Sequence, residues 1–261
     1  MKSSEPSVVE SKLPQITASF WVMKIAATTL GETAGDLVSM TLNVGYAISS
    51  IILITAFAVS LLCQLAVKRY HAALYWTVIL TTSTAGTTMS DTMDRTLGLG
   101  YARGTAVLVV ALLSIFAAWR YTTGSLAVDH VRTRKAEVFY WFAILVSNTL
   151  GTALGDFLAD SSGLGFAGGA LLIGGLLGIV LLMTFFTHVS RVAVFWVAFV
   201  LTRPFGATVG DVLTKSKEKG GLAFGTVGSS AILATILVGF VVWAAVKEKR
   251  VRADVPTTPK V

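Results

Sequence analysis

A motif of tryptophan, glycine and aspartate occurs four times in this chain with unchanged spacing. In each copy the glycine follows the tryptophan by ten residues, and the aspartate follows the glycine by five. The copies are Trp21/Gly31/Asp36, Trp76/Gly86/Asp91, Trp141/Gly151/Asp156 and Trp196/Gly206/Asp211. Internal repetition of this kind indicates a fold built from equivalent units, so we interpret the chain as four copies of one unit.

The chain is also strongly apolar, with 54% hydrophobic and 13% charged residues and a mean hydropathy of +0.74. A helix needs about 20 apolar residues to cross the hydrocarbon core of a membrane. Segments 44–67, 97–119, 164–187 and 222–246 meet this requirement, and 16–38, 72–93, 136–158 and 192–213 meet it with polar interruptions. The sequence therefore predicts an all-α polytopic membrane bundle of eight transmembrane helices. They form four parallel two-helix repeats that are pseudo-symmetric about the membrane normal.

The domain organisation follows from these segments. We predict a cytoplasmic N-terminal segment over 1–15, a transmembrane domain over 16–246 and a disordered cytoplasmic tail over 247–261. The repeats cover 16–70, 71–121, 136–188 and 191–246. Most of the 21 basic residues fall in the termini and in the loops after even-numbered spans. The positive-inside rule therefore places both termini in the cytoplasm.

Several classes of function are disfavoured by the sequence. The net charge of +7 is mostly explained by topology, which argues against a nucleic-acid partner. The chain has no Walker motif, nucleophile elbow, zinc signature or dinucleotide fingerprint, so we expect neither an enzyme nor a bound cofactor. The lipid bilayer is the expected surrounding, and the sequence leaves a homo-oligomer open.

Each motif-bearing helix carries one polar stripe, because residues four apart share a helix face. The stripes are Lys24/Thr28/Glu32/Asp36, Ile79/Ser83/Thr87/Asp91, Ile144/Asn148/Thr152/Asp156 and Phe199/Arg203/Ala207/Asp211. In a bilayer such a stripe is expected to face the bundle interior or a water-filled cavity. The candidate residues for binding an ion or substrate are Asp36, Asp91, Asp156, Asp211, Glu32, Thr87 and Thr152.

The carboxylates allow two interpretations. Asp36, Glu32, Asp91, Asp156 and Asp211 are hypothetical metal ligands, since carboxylate oxygens suit Mg²⁺, Mn²⁺, Ca²⁺ and alkali ions. Alternatively, each aspartate ends its helix and caps the next turn. Glu32 has no acidic equivalent in the other repeats, which favours a functional role for it.

Two basic residues inside the spans are candidates for charge compensation. Lys24 either extends to the membrane interface or pairs with Glu32. Arg203 is expected to pair with Glu32, with Asp211 or with an aspartate of a neighbouring unit.

Small residues and aromatic residues occupy fixed places in the repeat. The glycines Gly31, Gly35, Gly86, Gly151, Gly155, Gly206 and Gly210 predict close helix packing. Each motif tryptophan follows another aromatic residue, and we interpret these pairs as belts at the membrane interface.

The segments LGETAGD, AGTTMSD, LGTALGD and FGATVGD resemble the tandem repeat of a bacterial family of multipass membrane proteins. That family is defined by a repeat of unknown function, typically in four copies, and its members are often regarded as transporters. The resemblance covers about residues 19–246. It implies a four-repeat protein of the bacterial inner (cytoplasmic) membrane and names no substrate.

We therefore expect an integral membrane transporter for secondary transport or export of a small cation through a carboxylate-lined central site. The cation is a divalent metal or an alkali ion, or transport is proton-coupled. The stripes hold five acids against two bases, which fits an anionic substrate poorly. The alternative is a structural or sensory membrane protein whose repeats serve only helix packing.

Overall fold

The computed structural model describes residues 12–253, and all the regular structure in that range is helical. Its eight α-helices are α1 Ala18–Asp36, α2 Tyr46–Ala66, α3 Ala72–Asp91, α4 Tyr101–Thr123, α5 Arg134–Asp156, α6 Gly165–Phe186, α7 Arg191–Thr214 and α8 Gly225–Ala253. Helices α1, α3 and α5 each continue into a π-helical turn after the motif aspartate. Most of the predicted N-terminal segment and the end of the predicted tail lie outside the described residues.

Six of these helices are long and apolar enough to cross a membrane: α2, α4, α5, α6, α7 and α8. The other two are more polar, since α1 carries Lys24 and Glu32 and α3 is rich in threonine and serine. Helix α8 continues to Ala253, so the disordered tail that we predicted from residue 247 does not begin there. Lysine, glutamate and arginine after Val246 are good helix formers and extend the helix.

The four motif helices, α1, α3, α5 and α7, contact one another in a closed ring. Helix α1 packs against α3 and α7, and α5 likewise packs against α3 and α7. Each even-numbered helix packs on the motif helix of the following repeat, so α2 lies on α3, α4 on α5, α6 on α7 and α8 on α1. The outer helices carry exposed apolar side chains such as Ile51, Leu113 and Leu171. The polar motif helices therefore form the inside of the bundle, and apolar side chains cover its outside.

Glycine allows the motif helices to approach one another closely. A Cβ atom on Gly31 would collide with Ser83 of the next repeat. The same position meets the equivalent residue in the other repeats: Gly86 meets Asn148, Gly151 meets Arg203 and Gly206 meets Thr28. The fourth repeat thus contacts the first in the way that each earlier repeat contacts its successor.

Aromatic side chains close one end of the ring of motif helices, the end at which the motif tryptophans lie. The ring centroids are 5.7 Å apart in Phe20–Trp76, 5.5 Å in Tyr75–Trp141, 6.1 Å in Tyr140–Trp196 and 5.8 Å in Phe195–Trp21. Trp76, Trp141 and Trp196 are buried inside the bundle, whereas the belt that we predicted at the membrane interface would leave them exposed on its surface. Each packs against an aromatic residue of the preceding repeat. We name this end the aromatic end and the opposite one the aspartate end.

Candidate functional site

All four motif aspartates are buried, and they lie at the aspartate end of the ring. Asp36, Asp91 and Asp156 are the last residues of α1, α3 and α5. Their side chains form no capping hydrogen bond to the π-helical turns that follow. Helix capping therefore does not account for these three carboxylates.

Two basic residues divide the aspartates into pairs. Arg95 joins Asp91 and Asp156, with 3.0 Å from Nε to Oδ1 of Asp91 and 3.3 Å from Nη2 to Oδ2 of Asp156. Lys215 joins Asp36 and Asp211, with 2.7 and 3.0 Å from Nζ to the carboxylate oxygens. Each base therefore connects the end of its own motif helix to the motif helix of the next repeat.

Our sequence interpretation missed Arg95 and Lys215, because both follow the motif helices in segments that we assigned to loops. Each stands four residues after a motif aspartate, and this spacing places two side chains on the same helix face. The equivalent positions in the first and third repeats hold Met40 and Asp160. With these two bases included, the acidic excess of the site is smaller than the stripes alone indicated.

The two bridging bases are held differently. Arg95 donates from Nη1 to the hydroxyl of Tyr46 at 3.0 Å, and its guanidinium lies 5.5 Å from the ring of Tyr46 and 5.7 Å from that of Tyr101. The ammonium of Lys215 contacts Asp36 and Asp211 alone among the described residues. Burial disfavours its charge, but these two carboxylates outweigh that effect and raise the pKa of Lys215 above its ordinary value. Lys215 is therefore charged at neutral pH.

One stripe layer deeper, side chains from all four motif helices meet around Arg203. Its Nη1 donates to Oε2 of Glu32 at 3.0 Å, and its Nη2 donates to the hydroxyls of Thr87 and Thr152 at 2.6 and 2.8 Å. Thr152 in turn donates to Oε2 of Glu32 at 3.1 Å. Of the three partners that the sequence allowed for Arg203, the structure places Glu32 against it.

Three carboxylates come together between α1 and α7. Glu32, Asp36 and Asp211 each contribute one oxygen to a group in which these atoms lie within 4.8 Å of one another. The two helices are close here, since a Cβ on Gly210 would lie 3.0 Å from Cβ of Glu32. Asp91 and Asp156 belong to the other pair, so the structure divides the five predicted carboxylates into a group of three and a group of two.

Lys24 lies in the next layer towards the aromatic end. It is fully buried, its Nζ has no hydrogen-bond partner within residues 12–253, and this atom lies 4.1 Å from the centre of the Phe199 ring. The structure places it neither at the interface nor against Glu32, because the ring encloses Lys24 and Arg203 already holds Glu32. Ile79, Ile144 and Phe199 of the same layer are also fully buried, so apolar side chains close the ring at this level.

Comparison with known families gave one result. The model of a family described as Repeat of Unknown Function (DUF347) matches four segments of the chain, 19–70, 74–125, 139–190 and 194–250. Neither a curated protein nor a solved structure matches the chain. The four matched segments each contain one copy of the motif and cover most of the sequence.

Proposed function

The chain belongs to this repeat family, and we propose that it is an integral membrane transporter of a small cation, working by secondary transport or export. The observation that carries the proposal is the buried group of Glu32, Asp36 and Asp211, with oxygens within 4.8 Å of one another. Acidic side chains inside a membrane bundle are costly and mark ion pathways. Carboxylate oxygens at this spacing suit hard cations such as Mg²⁺, Mn²⁺ and Ca²⁺.

In this proposal all eight helices cross the membrane, including α1 and α3. These two helices complete the ring with α5 and α7, and the apolar outer helices lie on them. Their polar residues therefore need not meet lipid. The equivalent contacts between successive repeats, such as Gly86 on Asn148 and Gly206 on Thr28, support parallel repeats related by an axis along the membrane normal.

We propose the bacterial inner membrane as the location, with both termini in the cytoplasm. The support is the concentration of basic residues in the termini and in the loops on that side. The aromatic end then faces the cytoplasm, and the layer of Lys24, Ile79, Ile144 and Phe199 closes the pathway on that side. The aspartate end faces outward, where the partly exposed Arg95 and Lys215 give access to water.

The residues around the carboxylates have distinct parts in this mechanism. Asp36 and Asp211 supply negative charge to the cation, and Glu32 forms the inner wall of the site. Arg203 offsets the charge of Glu32, which limits the electrostatic attraction that a bound cation would have to overcome on leaving. The hydroxyls of Thr87 and Thr152 fix Arg203 in this position.

One observation favours the alternative of a structural or sensory membrane protein. Arg95 and Lys215 join the ends of motif helices by ion pairs, and such pairs also serve to hold the repeats together. Under this alternative the carboxylates serve only to hold neighbouring helices together through ion pairs, and the protein transports no ion.

Flux into liposomes separates the two functions. The purified protein is reconstituted and tested with Mg²⁺, Mn²⁺, Ca²⁺, alkali ions and protons. We expect protein-dependent movement of at least one cation, and loss of that movement in Glu32→Gln with the variant still inserted and folded. A correctly inserted wild-type protein that moves none of these ions rejects the transporter.

A further inference from the structure

The two bridging bases differ in what holds them, although they occupy equivalent positions. The guanidinium of Arg95 is planar and charged, and a tyrosine hydroxyl and two tyrosine rings lie around it. Those rings belong to the first residues of α2 and α4, whereas Phe166 lies at the start of α6 and Phe224 directly precedes α8. Phenylalanine has no hydroxyl to accept a hydrogen bond. Lysine carries a compact charge on a flexible stem, so Lys215 is the easier of the two to displace.

The charge around Lys215 is incompletely balanced. Arg203 offsets Glu32, so Asp36 and Asp211 share the single charge of the Lys215 ammonium. Buried charges are stable when they are paired, and with both carboxylates ionised the two aspartates carry one negative charge more than the ammonium offsets. A divalent cation in place of the ammonium would balance both aspartates.

Asp211 provides a second, independent indication of a ligand. Its Oδ1 is buried and has no hydrogen-bond partner within the described part of the chain, although the ammonium of Lys215 lies 3.0 Å away as an ion pair. A buried acceptor that forms no hydrogen bond is costly. This oxygen belongs to the carboxylate that groups with Glu32 and Asp36.

We infer that Lys215 is a built-in counter-ion that a divalent cation displaces from Asp36 and Asp211. The cation binds oxygens of Glu32, Asp36 and Asp211, and the Lys215 side chain, already 19% exposed, turns towards solvent. The backbone of Lys215 keeps its place, since its N–H donates to Asp211 O and its carbonyl accepts from Ala223, both at 2.9 Å. This inference rests on the proposed function, because it specifies how the site would be filled.

Binding of Mn²⁺ to the full-length protein in detergent tests the inference, with bound Mn²⁺ followed by electron paramagnetic resonance. Lys215→Met removes the competing charge, so its affinity should exceed that of wild type by at least about tenfold. Lys215→Arg keeps the charge and can form bidentate hydrogen bonds to carboxylates. The affinity of this variant for Mn²⁺ should therefore fall below that of wild type. Adding Asp211→Asn to Lys215→Met should abolish the gain.

The matched control is Arg95→Met, which removes one positive charge from the pair that lacks a third carboxylate. It should not increase the affinity for Mn²⁺. Equal affinity in wild type and Lys215→Met, or an equal gain in Arg95→Met, would overturn the inference. Should Lys215→Met fail to fold, Lys215→Arg preserves the ion pairs, and unchanged binding in that variant overturns the inference on its own.

Flux of Mn²⁺ in liposomes keeps this test separate from that of the proposed function. Binding that follows the predicted order without any flux supports the displacement of Lys215 and rejects transport. Flux of Mn²⁺ in a protein whose binding does not respond to Lys215 rejects the displacement and leaves transport standing.

Discussion

Arg203 of α7 contacts Glu32 of the neighbouring helix α1, with 3.0 Å between Nη1 and Oε2, and both side chains are buried. Thr87 and Thr152 satisfy the second guanidinium nitrogen, so this one pair links all four motif helices. A buried ion pair adds little net stability compared with an apolar pair, whereas removing only one partner is costly. The pair therefore specifies how the helices meet more than it strengthens the bundle.

Arg203→Ala should lower the free energy of unfolding by about 3–5 kcal/mol, because Glu32 is left buried without a counter-charge. Combining it with Glu32→Gln should recover part of this loss, and combining it with Asp211→Asn should recover less. The measurement is denaturant or thermal unfolding in detergent. Greater recovery with Asp211→Asn would mean that Arg203 is paired with Asp211 and not with Glu32.

Gly86→Ala should destabilise the bundle by about 1–3 kcal/mol, since overpacking forces neighbouring atoms to shift. Its new Cβ would lie 2.9 Å from backbone atoms of Asn148 and Thr149. Gly178→Ala is the control, because nothing lies within 4 Å of the added Cβ. It should leave the melting temperature unchanged or raise it. Equal effects of the two substitutions would show that close packing at Gly86 is unimportant.

Arg95→Gln should lower stability by about 1–2 kcal/mol, because Asp91 and Asp156 then lack their shared partner. The partial exposure of Arg95 keeps this effect smaller than that of Arg203. Arg103→Gln makes the same change of charge at an exposed position of α4 and should change stability little. The comparison of melting temperatures in detergent is the measurement, and an equal loss in both variants would contradict a specific bridge.

The repeat spacing was sufficient to place the motif helices and their polar stripes, because helical periodicity is a local property. Which stripe residues touch depends on how the helices pack, and the sequence therefore left three partners open for Arg203. The same limit explains Lys24: its depth along α1 follows from its position, but its contact with Phe199 depends on the neighbouring helix.

Arg95 and Lys215 show a different limit. Their spacing of four residues from Asp91 and Asp211 was visible in the sequence. Basic residues at the end of a span usually lie in solvent, so nothing local separated these two from other loop charges. Their contact with the aspartate of the next repeat depends on how the motif helices pack into a closed ring, which local sequence does not show.

Cation flux in liposomes compared between Asp36→Asn and Asp160→Asn tests the central claim most directly. Both substitutions remove one carboxylate from the end of a motif helix, but Asp36 belongs to the buried group and Asp160 is exposed. Our account predicts that Asp36→Asn abolishes flux while Asp160→Asn transports at the wild-type rate, with both variants folded and inserted. Wild-type flux in Asp36→Asn would contradict the assignment of Glu32, Asp36 and Asp211 as the cation site.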